Sequence, residues 1–224
     1  MHCLWCDDEI IPYVNWGNLL LPSRPASLCE ECESKLEQIE GDRCRKCSRK
    51  TSEAVCRDCQ WWESQKRNVL AGNYSVYTYN AFMREIIAKW KYRGDYILRN
   101  VFAEVFTEGY YQAFGKKKDA IIIPIPLSEN RLKERGFNQA EALAAFLPNQ
   151  SKSLLARIDS EKQSKKSRKQ RITGKNPFTL KETLNKPAIL VDDIYTTGTT
   201  IRHAAELLKQ NGCPEVHSYT LIRG

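Results

Sequence analysis

Near its carboxyl end the chain reads Ala188-Ile-Leu-Val-Asp-Asp-Ile-Tyr-Thr-Thr-Gly-Thr-Thr200, an apolar run followed by two aspartates and a hydroxyl-rich turn. The apolar run predicts a buried strand with Asp192 and Asp193 at its carboxyl end, where adjacent carboxylates can accept hydrogen bonds from a cis-diol. The turn around Gly198 leads into a predicted helix, whose first N–H groups and dipole favour a phosphate. The segment therefore predicts a pocket for a ribose 5-phosphate.

Strand and helix patterns alternate around this segment from about residue 68 onward. Such alternation indicates an α/β fold, with a mostly parallel sheet flanked by helices, in which ligands bind beyond the carboxyl ends of the strands. The predicted strands are 74–79, 120–125, 187–191 and 215–222, and the predicted helices are 81–92, 97–114, 135–147 and 199–210.

Three other interpretations of the 188–200 segment fit less well. A P-loop requires Gly-x-x-x-x-Gly-Lys-Ser/Thr, which the chain lacks. Val-Asp-Asp also occurs in response-regulator receivers, but there it lies near the domain start and lacks the hydroxyl-rich turn. A plain capped helix after a strand explains one or two threonines, but not the paired aspartates as well.

Eight of the nine cysteines form four Cys-x-x-Cys pairs, all within the first 59 residues. This spacing presents two thiolates to one metal ion, and two such pairs complete a tetrahedral zinc site, so we predict two structural zinc ions. Disulfides would need an oxidising compartment, and a thioredoxin-like site would need one such pair near a βαβ unit. The predicted ligands are Cys3, Cys6, Cys29, Cys32, Cys44, Cys47, Cys56 and Cys59.

The grouping of the four pairs stays open at this point. Sequential grouping of the first two and the last two pairs is the simpler topology, but an interleaved cross-brace has the same spacing. A segment this short with few aliphatic residues cannot fold unaided, so zinc would supply much of its folding free energy. We therefore predict a double zinc-ribbon domain over residues 1–66 and an α/β domain over residues 67–224.

Charge separates the two predicted domains. Residues 1–66 carry 9 Lys/Arg and 12 Asp/Glu, whereas residues 67–224 carry 26 and 15, which gives the chain its formal net charge of +8. A basic α/β domain favours phosphate-bearing partners such as nucleic acid, nucleotides or pyrophosphate.

The composition indicates a globular cytoplasmic protein. An apolar content of 42% excludes a mainly disordered chain. The longest apolar stretch, 120–127, is short and contains two prolines, and the first residues do not form a signal peptide.

The segment from Val191 to Thr200 resembles the phosphoribosyl-pyrophosphate (PRPP) signature of type I phosphoribosyltransferases. The chain also contains Pro124-Ile-Pro-Leu-Ser128, Arg131 and Arg135-Gly-Phe-Asn-Gln139. With the four cysteine pairs in front, the whole chain resembles the competence protein F family.

The resemblance implies a type I phosphoribosyltransferase fold and a set of PRPP contacts. Asp192 and Asp193 would hold the ribose hydroxyls, the 196–200 turn the 5-phosphate, and Mg²⁺ would bridge oxygens of PRPP. The implied PRPP-binding residues are Asp192, Asp193, Thr196, Thr197, Gly198, Thr199 and Thr200.

Further basic and hydroxyl residues are implied around the pyrophosphate. The 124–128 turn would form the pyrophosphate loop, and the basic 157–175 stretch would be a flexible loop that closes over PRPP and that also suits a DNA backbone. A Lys-Tyr-x-Gly element adds one lysine. The candidates are Ser128, Arg131, Arg135, Lys165, Lys166, Arg168 and Lys91.

The function that the resemblance implies is uptake of single-stranded DNA into the cytosol during natural transformation. The implied partner is a ComFA-type DNA-translocating ATPase, met at the inner face of the cell membrane. The alternative is an active phosphoribosyltransferase that uses PRPP and an unidentified nucleophilic acceptor. No base-binding segment or general base for an acceptor is evident in the sequence.

Three tryptophans complete the predictions. Trp61 and Trp62 follow the last cysteine pair and are expected to pack one domain on the other. Trp90 lies in Lys89-Trp-Lys-Tyr-Arg93, where it could stack on nucleotides or, as the helical register also allows, lie in the core.

Overall fold

The computed structural model describes residues 1–11, 26–65, 68–158 and 176–224. Its centre is a parallel sheet of four strands in the order β1-β6-β5-β2, and a separate antiparallel pair joins β3 to β4. The strands are β1 (Gly72–Thr78), β2 (Ile121–Pro124), β3 (Leu155–Arg157), β4 (Phe178–Leu180), β5 (Ala188–Tyr195) and β6 (Val216–Arg223).

Helices connect and flank these strands. A 3₁₀ helix over Tyr96–Phe102 precedes α4. Among the described residues, no helix is both long and apolar enough to cross a membrane. The helices are α1 (Glu30–Glu33), α2 (Arg57–Ser64), α3 (Ala81–Tyr92), α4 (Ala103–Phe114), α5 (Glu129–Arg135), α6 (Gln139–Ala144) and α7 (Thr199–Gln210).

Strand β5 lies inside the sheet because its first half is apolar on both faces. Residues 188–191 are fully buried between β2 and β6, as expected for a parallel strand covered by helices on both sides. The strand continues to Tyr195, so Asp192 and Asp193 lie within β5 and not beyond its end. The predicted strand was therefore too short, since the pairing of Asp192 with Thr220 of β6 extends the ladder.

Two predicted helices differ in the structure. The 97–114 helix is a 3₁₀ helix followed by α4, and the 3₁₀ segment buries Leu98 and Phe102. Within the predicted 135–147 helix only α6 (Gln139–Ala144) forms, and α5 ends at Arg135, where that helix was predicted to begin. Gly136 ends α5 in the left-handed conformation with φ of 77°, and the Asn138 side chain caps α6, so two local signals interrupt the apolar pattern.

The core confirms one interpretation of the basic-aromatic segment in α3. Trp90 is fully buried and packs near Phe102 and Phe137, with ring centroids 5.9 Å apart in both pairs. Trp90 therefore stabilises the packing of α3 and is not available for stacking on a nucleotide.

The cysteine-rich segments pack directly on the α/β region. Residues 37–39 run along the free edge of β1, where Ile39 N donates to Val76 O at 2.8 Å and Thr78 N donates to Glu37 O at 2.9 Å. Near the first four cysteines, Trp5 contacts Phe82 of α3 edge-to-face. The later four cysteines share a hydrophobic cluster with Leu70 and Tyr195.

Candidate functional site

An acidic pair and a lysine from another element form the centre of the candidate site. Asp192 and Asp193 lie near the carboxyl end of β5, and the Lys91 Nζ atom forms an ion pair with the Asp193 carboxylate. The Lys91 and Asp193 side chains are only 12% and 13% exposed. The structure thus brings Lys91, near the end of α3, to a residue more than a hundred positions away in the chain.

The surroundings of Asp192 favour its protonated form. The pKa of Asp192 is raised to about 8, mainly by burial and also by the neighbouring Asp193 carboxylate, while the charges of Lys91 and Arg157 oppose the rise. Near neutral pH, Asp192 therefore keeps its proton and offers a donor as well as an acceptor. A protonated and an ionised carboxyl side by side suit a cis-diol without repelling each other.

Arg157 adds positive charge near the acidic pair, although the sequence interpretation did not single it out. It is the last residue of β3, and its charge opposes the rise in the pKa of Asp192. Its sequence signal was its place at the start of the basic 157–175 stretch.

The turn after β5 has the geometry of a phosphate cradle. Gly198 adopts the left-handed conformation with φ of 74° immediately before α7, and among the described residues no side chain caps this helix. The Thr197 and Thr199 hydroxyls are 2.8 Å apart. Thr199 N also donates to Thr197 Oγ1 at 3.4 Å. Because the first N–H groups of a helix have no acceptor within it, a phosphate could accept hydrogen bonds at the start of α7.

Glycine is required at position 198 for space as well as conformation. A Cβ there would collide with the Tyr195 hydroxyl and with Arg202 Nη1. These two groups are hydrogen-bonded to each other at 2.5 Å, so neither can move away freely. The Tyr195 and Arg202 side chains therefore pack closely against the turn at Gly198.

Groups from distant parts of the chain fix the backbone of this turn. The Trp62 indole N–H, from α2, donates to Thr197 O at 2.9 Å. Arg223 Nη1, from β6, donates to Tyr195 O at 3.0 Å and to Thr196 O at 2.9 Å. Arg223 Nη2 contacts Cys47 Sγ at 3.5 Å.

The Arg202 guanidinium lies 4.5 Å from the Trp62 ring, which adds a cation–π contact to the same arrangement. The expected packing role of Trp62 is thus seen directly. Trp61 contacts Trp62 but remains 41% exposed.

The predicted pyrophosphate turn leaves the sheet beside the acidic pair. Ile125 N donates to Val191 O at 2.9 Å, which holds the start of the 124–128 turn next to the residue that precedes Asp192 in β5. The Ser128 side chain accepts from Arg131 N at 3.4 Å and caps α5.

The other predicted anion-binding residues have different environments. Arg131 and Arg135 lie on α5, but Arg135 donates to Gln139 Oε1 at 2.8 Å and faces the Tyr92 ring, whereas Arg131 is exposed. Lys165, Lys166 and Arg168 lie outside the described residues.

The cysteines form two clusters in sequential grouping: Cys3, Cys6, Cys29 and Cys32, then Cys44, Cys47, Cys56 and Cys59. Within each cluster the sulfur atoms lie within 4.8 Å of one another. Zn–S bonds of about 2.3 Å in a tetrahedron place sulfurs about 3.8 Å apart. The Cys6–Cys29 and Cys47–Cys56 separations of 3.6 Å agree with this, so each cluster could hold a zinc ion.

The phosphoribosyl transferase domain family matches residues 132–224, which include α7 and the acidic pair. The chain is 41% identical to Competence protein ComFC of Bacillus subtilis, over 99% of this chain and 94% of that protein. It is 34% identical to Competence protein ComFC of Streptococcus pneumoniae over the full length of both. The chain belongs to the ComFC family.

ComFC membership accounts for both halves of the sequence, because both ComFC relatives align along essentially the whole chain. A DNA utilization protein, YhgH of Escherichia coli, is 34% identical over 46% of this chain and 48% of its own length. The relatives are thus named for competence and DNA utilization, which favours that function over the alternative of a transferase with an unidentified acceptor. The phosphoribosyltransferase-like sheet and two Cys₄ clusters confirm the predicted fold.

Proposed function

We propose that this protein supports the uptake of single-stranded DNA into the cytosol during natural transformation and that it binds PRPP with Mg²⁺ while doing so. The observation that carries the competence role is the full-length similarity to two ComFC proteins. The PRPP role is supported by two features at one edge of the sheet. These are the acidic pair and the 196–200 turn, which we call the phosphate turn.

The proposed orientation of PRPP follows from three neighbouring parts of the site: the 196–200 turn, the acidic pair and the 124–128 turn. The 5-phosphate occupies the 196–200 turn at the start of α7, and the ribose hydroxyls contact Asp192 and Asp193. The pyrophosphate lies at the 124–128 turn, with Lys91 and Arg157 supplying positive charge. Mg²⁺ would supply charge neutralisation of the pyrophosphate oxygens, which is its usual role beside substrate phosphates.

The cysteine clusters have a structural role in this proposal. Two zinc ions, one in each cluster, fold residues 1–66 as a double zinc ribbon on the 67–224 unit. The second zinc lies on the side of the phosphate turn, because Trp62 and Cys47 both connect to that turn. The double zinc ribbon is also the proposed docking surface for a ComFA-type DNA-translocating ATPase at the inner face of the cell membrane.

The decisive experiment combines calorimetry with a transformation assay. Wild type is titrated with PRPP and Mg²⁺, and Asp192→Asn/Asp193→Asn is titrated in parallel. Binding by wild type that is lost in the double variant supports the pocket, whereas zinc-loaded, folded wild type that does not bind PRPP removes it from the proposal.

The competence role is tested separately in a naturally transformable host that lacks its own copy of the gene. Wild type should restore transformation by donor DNA. Failure of a well-expressed wild-type copy to do so would contradict the competence role, whatever calorimetry shows.

A further inference from the structure

Two exposed tyrosines mark the junction between α3 and the 3₁₀ helix. Tyr92 is 74% exposed and Tyr96 is 44% exposed, whereas Trp90 in the same segment is fully buried. Most of the Tyr92 surface stays in water, so this ring contributes little to folding. We call this pair the tyrosine platform.

The two rings lie against the same connection between α5 and α6. The Arg135 guanidinium is 5.6 Å from the Tyr92 ring. The Tyr96 ring contacts Phe137 edge-to-face, with centroids 4.9 Å apart. Arg135 and Phe137 are two residues apart, so both tyrosines lie along this one connection. The Arg99 guanidinium lies 4.3 Å from the Tyr96 ring.

Positive charge surrounds the platform. Residues 89–99 contain four basic residues and one acidic residue, and that acidic residue, Asp95, is 3.6 Å from Lys89. Helix α5 contains three basic and two acidic residues. The Arg93, Arg131 and Lys133 side chains of these two segments are exposed. Rings that accept stacked bases and cations that contact phosphates are what single-stranded nucleic acid requires.

We propose that the tyrosine platform binds single-stranded DNA, with bases stacked on Tyr92 and Tyr96 and backbone phosphates contacted by Arg93, Arg131 and Lys133. This inference rests on the proposed DNA-uptake function and assigns its nucleic-acid surface. Lys91 precedes Tyr92 and forms an ion pair with Asp193, so the bound strand passes beside the proposed PRPP pocket. Stacking and phosphate contacts read no particular base, so the site accepts any sequence.

Stacking is tested by fluorescence anisotropy with a labelled 20-nucleotide oligothymidine and the full chain. Loss of one stacked base costs about 1–3 kcal/mol, so Tyr92→Ala should weaken binding at least fivefold and Tyr92→Ala/Tyr96→Ala further. Tyr92→Phe keeps a stacking ring and should bind like wild type. Tyr111→Ala is the matched control, because Tyr111 is 54% exposed on α4, and it should not change affinity.

The charge contacts are tested by the salt dependence of the same binding. Each phosphate contact contributes about 0.7 to the slope of log affinity against log salt for a single strand. Arg93→Gln/Arg131→Gln/Lys133→Gln should therefore lower the slope by about 2. Lys116→Gln/Lys118→Gln changes two exposed lysines elsewhere and should leave it unchanged.

The results separate this inference from the proposed function. Wild-type affinity in Tyr92→Ala/Tyr96→Ala, or an equal loss in Tyr111→Ala, would overturn the platform while leaving DNA binding intact. A wild-type protein that binds PRPP but no oligonucleotide would overturn both the platform and direct DNA contact. Urea unfolding of each variant verifies that the fold is retained.

Discussion

Adjacent residues of β5 have different chemistry because their surroundings differ. Asp193 has a lysine partner, whereas Asp192 has lost most of its hydration and adjoins a second carboxylate. Two ionised carboxylates at this spacing would repel each other and an incoming anionic ligand. Keeping the proton on Asp192 removes part of that repulsion, and this is how an acidic pair can lie in a site proposed for PRPP.

The raised pKa of Asp192 predicts how stability depends on pH. The unfolded carboxyl loses its proton near pH 4, whereas the folded one keeps it until about pH 8. Between these values the folded state binds the extra proton, so the free energy of unfolding should fall as pH rises, by about 1.4 kcal/mol for each unit of pKa difference. Urea unfolding of wild type and Asp192→Asn at pH 5 and pH 8 measures this.

In Asp192→Asn the fall in stability between pH 5 and pH 8 should be smaller than in wild type. Asp119→Asn changes an exposed aspartate and should keep the wild-type dependence. Parallel pH profiles for all three proteins would show that Asp192 titrates as an ordinary carboxyl.

Gly198 gives a second prediction at this scale. In Gly198→Ala, a positive φ and a collision with Tyr195 and Arg202 act together, so we expect PRPP affinity to fall at least about tenfold as the turn is displaced. Gly41 has a similar φ of 70° with open space around it. Gly41→Ala should therefore cost about 1–2 kcal/mol of stability and leave PRPP affinity unchanged. Calorimetry and urea unfolding on both variants compare the two effects.

At the scale of elements, the phosphate turn is built by α2 as well as by β5 and α7. Helix α2 follows the last cysteine pair, and its Trp62 holds the turn through Thr197 O. The buried Arg202 fills the space between the Trp62 and Tyr195 rings, 4.5 Å and 6.0 Å from them. A substitution in α2 should therefore alter the conformation of the phosphate turn.

The two adjacent tryptophans provide the test. Trp62→Phe keeps an aromatic ring but removes the N–H donor to Thr197 O, a bond worth about 1 kcal/mol, so PRPP affinity should fall about fivefold. Trp61→Phe changes a partly exposed neighbour and should have no effect. Both variants should retain their zinc, measured by elemental analysis. Equal PRPP affinity in all three proteins would show that α2 does not support the turn.

At the scale of the whole molecule, the two cysteine clusters are attached differently. The second cluster is buried within the hydrophobic cluster that includes Tyr195, and Cys47 is fully buried. In the first cluster Cys6 is exposed, and the cluster packs on α3 through Trp5 and Phe82. Metal binding at the second cluster should therefore be coupled to the sheet and the phosphate turn more strongly than at the first.

Paired cysteine variants measure that coupling. Cys47→Ser and Cys6→Ser should each lose about one zinc per chain, since one missing ligand opens a tetrahedral site. Cys47→Ser should in addition lower the thermal midpoint by several degrees and weaken PRPP binding, whereas Cys6→Ser should leave PRPP binding near the wild-type value. The opposite order of effects would show that the first cluster supports the sheet.

Local patterns in the sequence were enough to predict α3 and α7 with their observed bounds, the parallel sheet and the eight clustered cysteines. Each depends on residues within a few positions of one another, where periodicity, capping and pair spacing act directly. The end of α5 at Arg135 and the start of α6 at Gln139 were also encoded locally, by Gly136 and Asn138, but the apolar spacing suggested one helix over 135–147.

The sequence by itself determined the α/β fold, the strand that carries the two aspartates, the glycine turn before α7 and the four cysteine pairs. Only the tertiary structure decided that the pairs group in order, that Lys91 pairs with Asp193, and that Trp62 holds the 196–200 turn through Thr197 O. Trp62 and Thr197 are 135 positions apart, so no local pattern relates them. Their contact depends on how helices and strands pack, and packing brings together residues that the chain keeps apart.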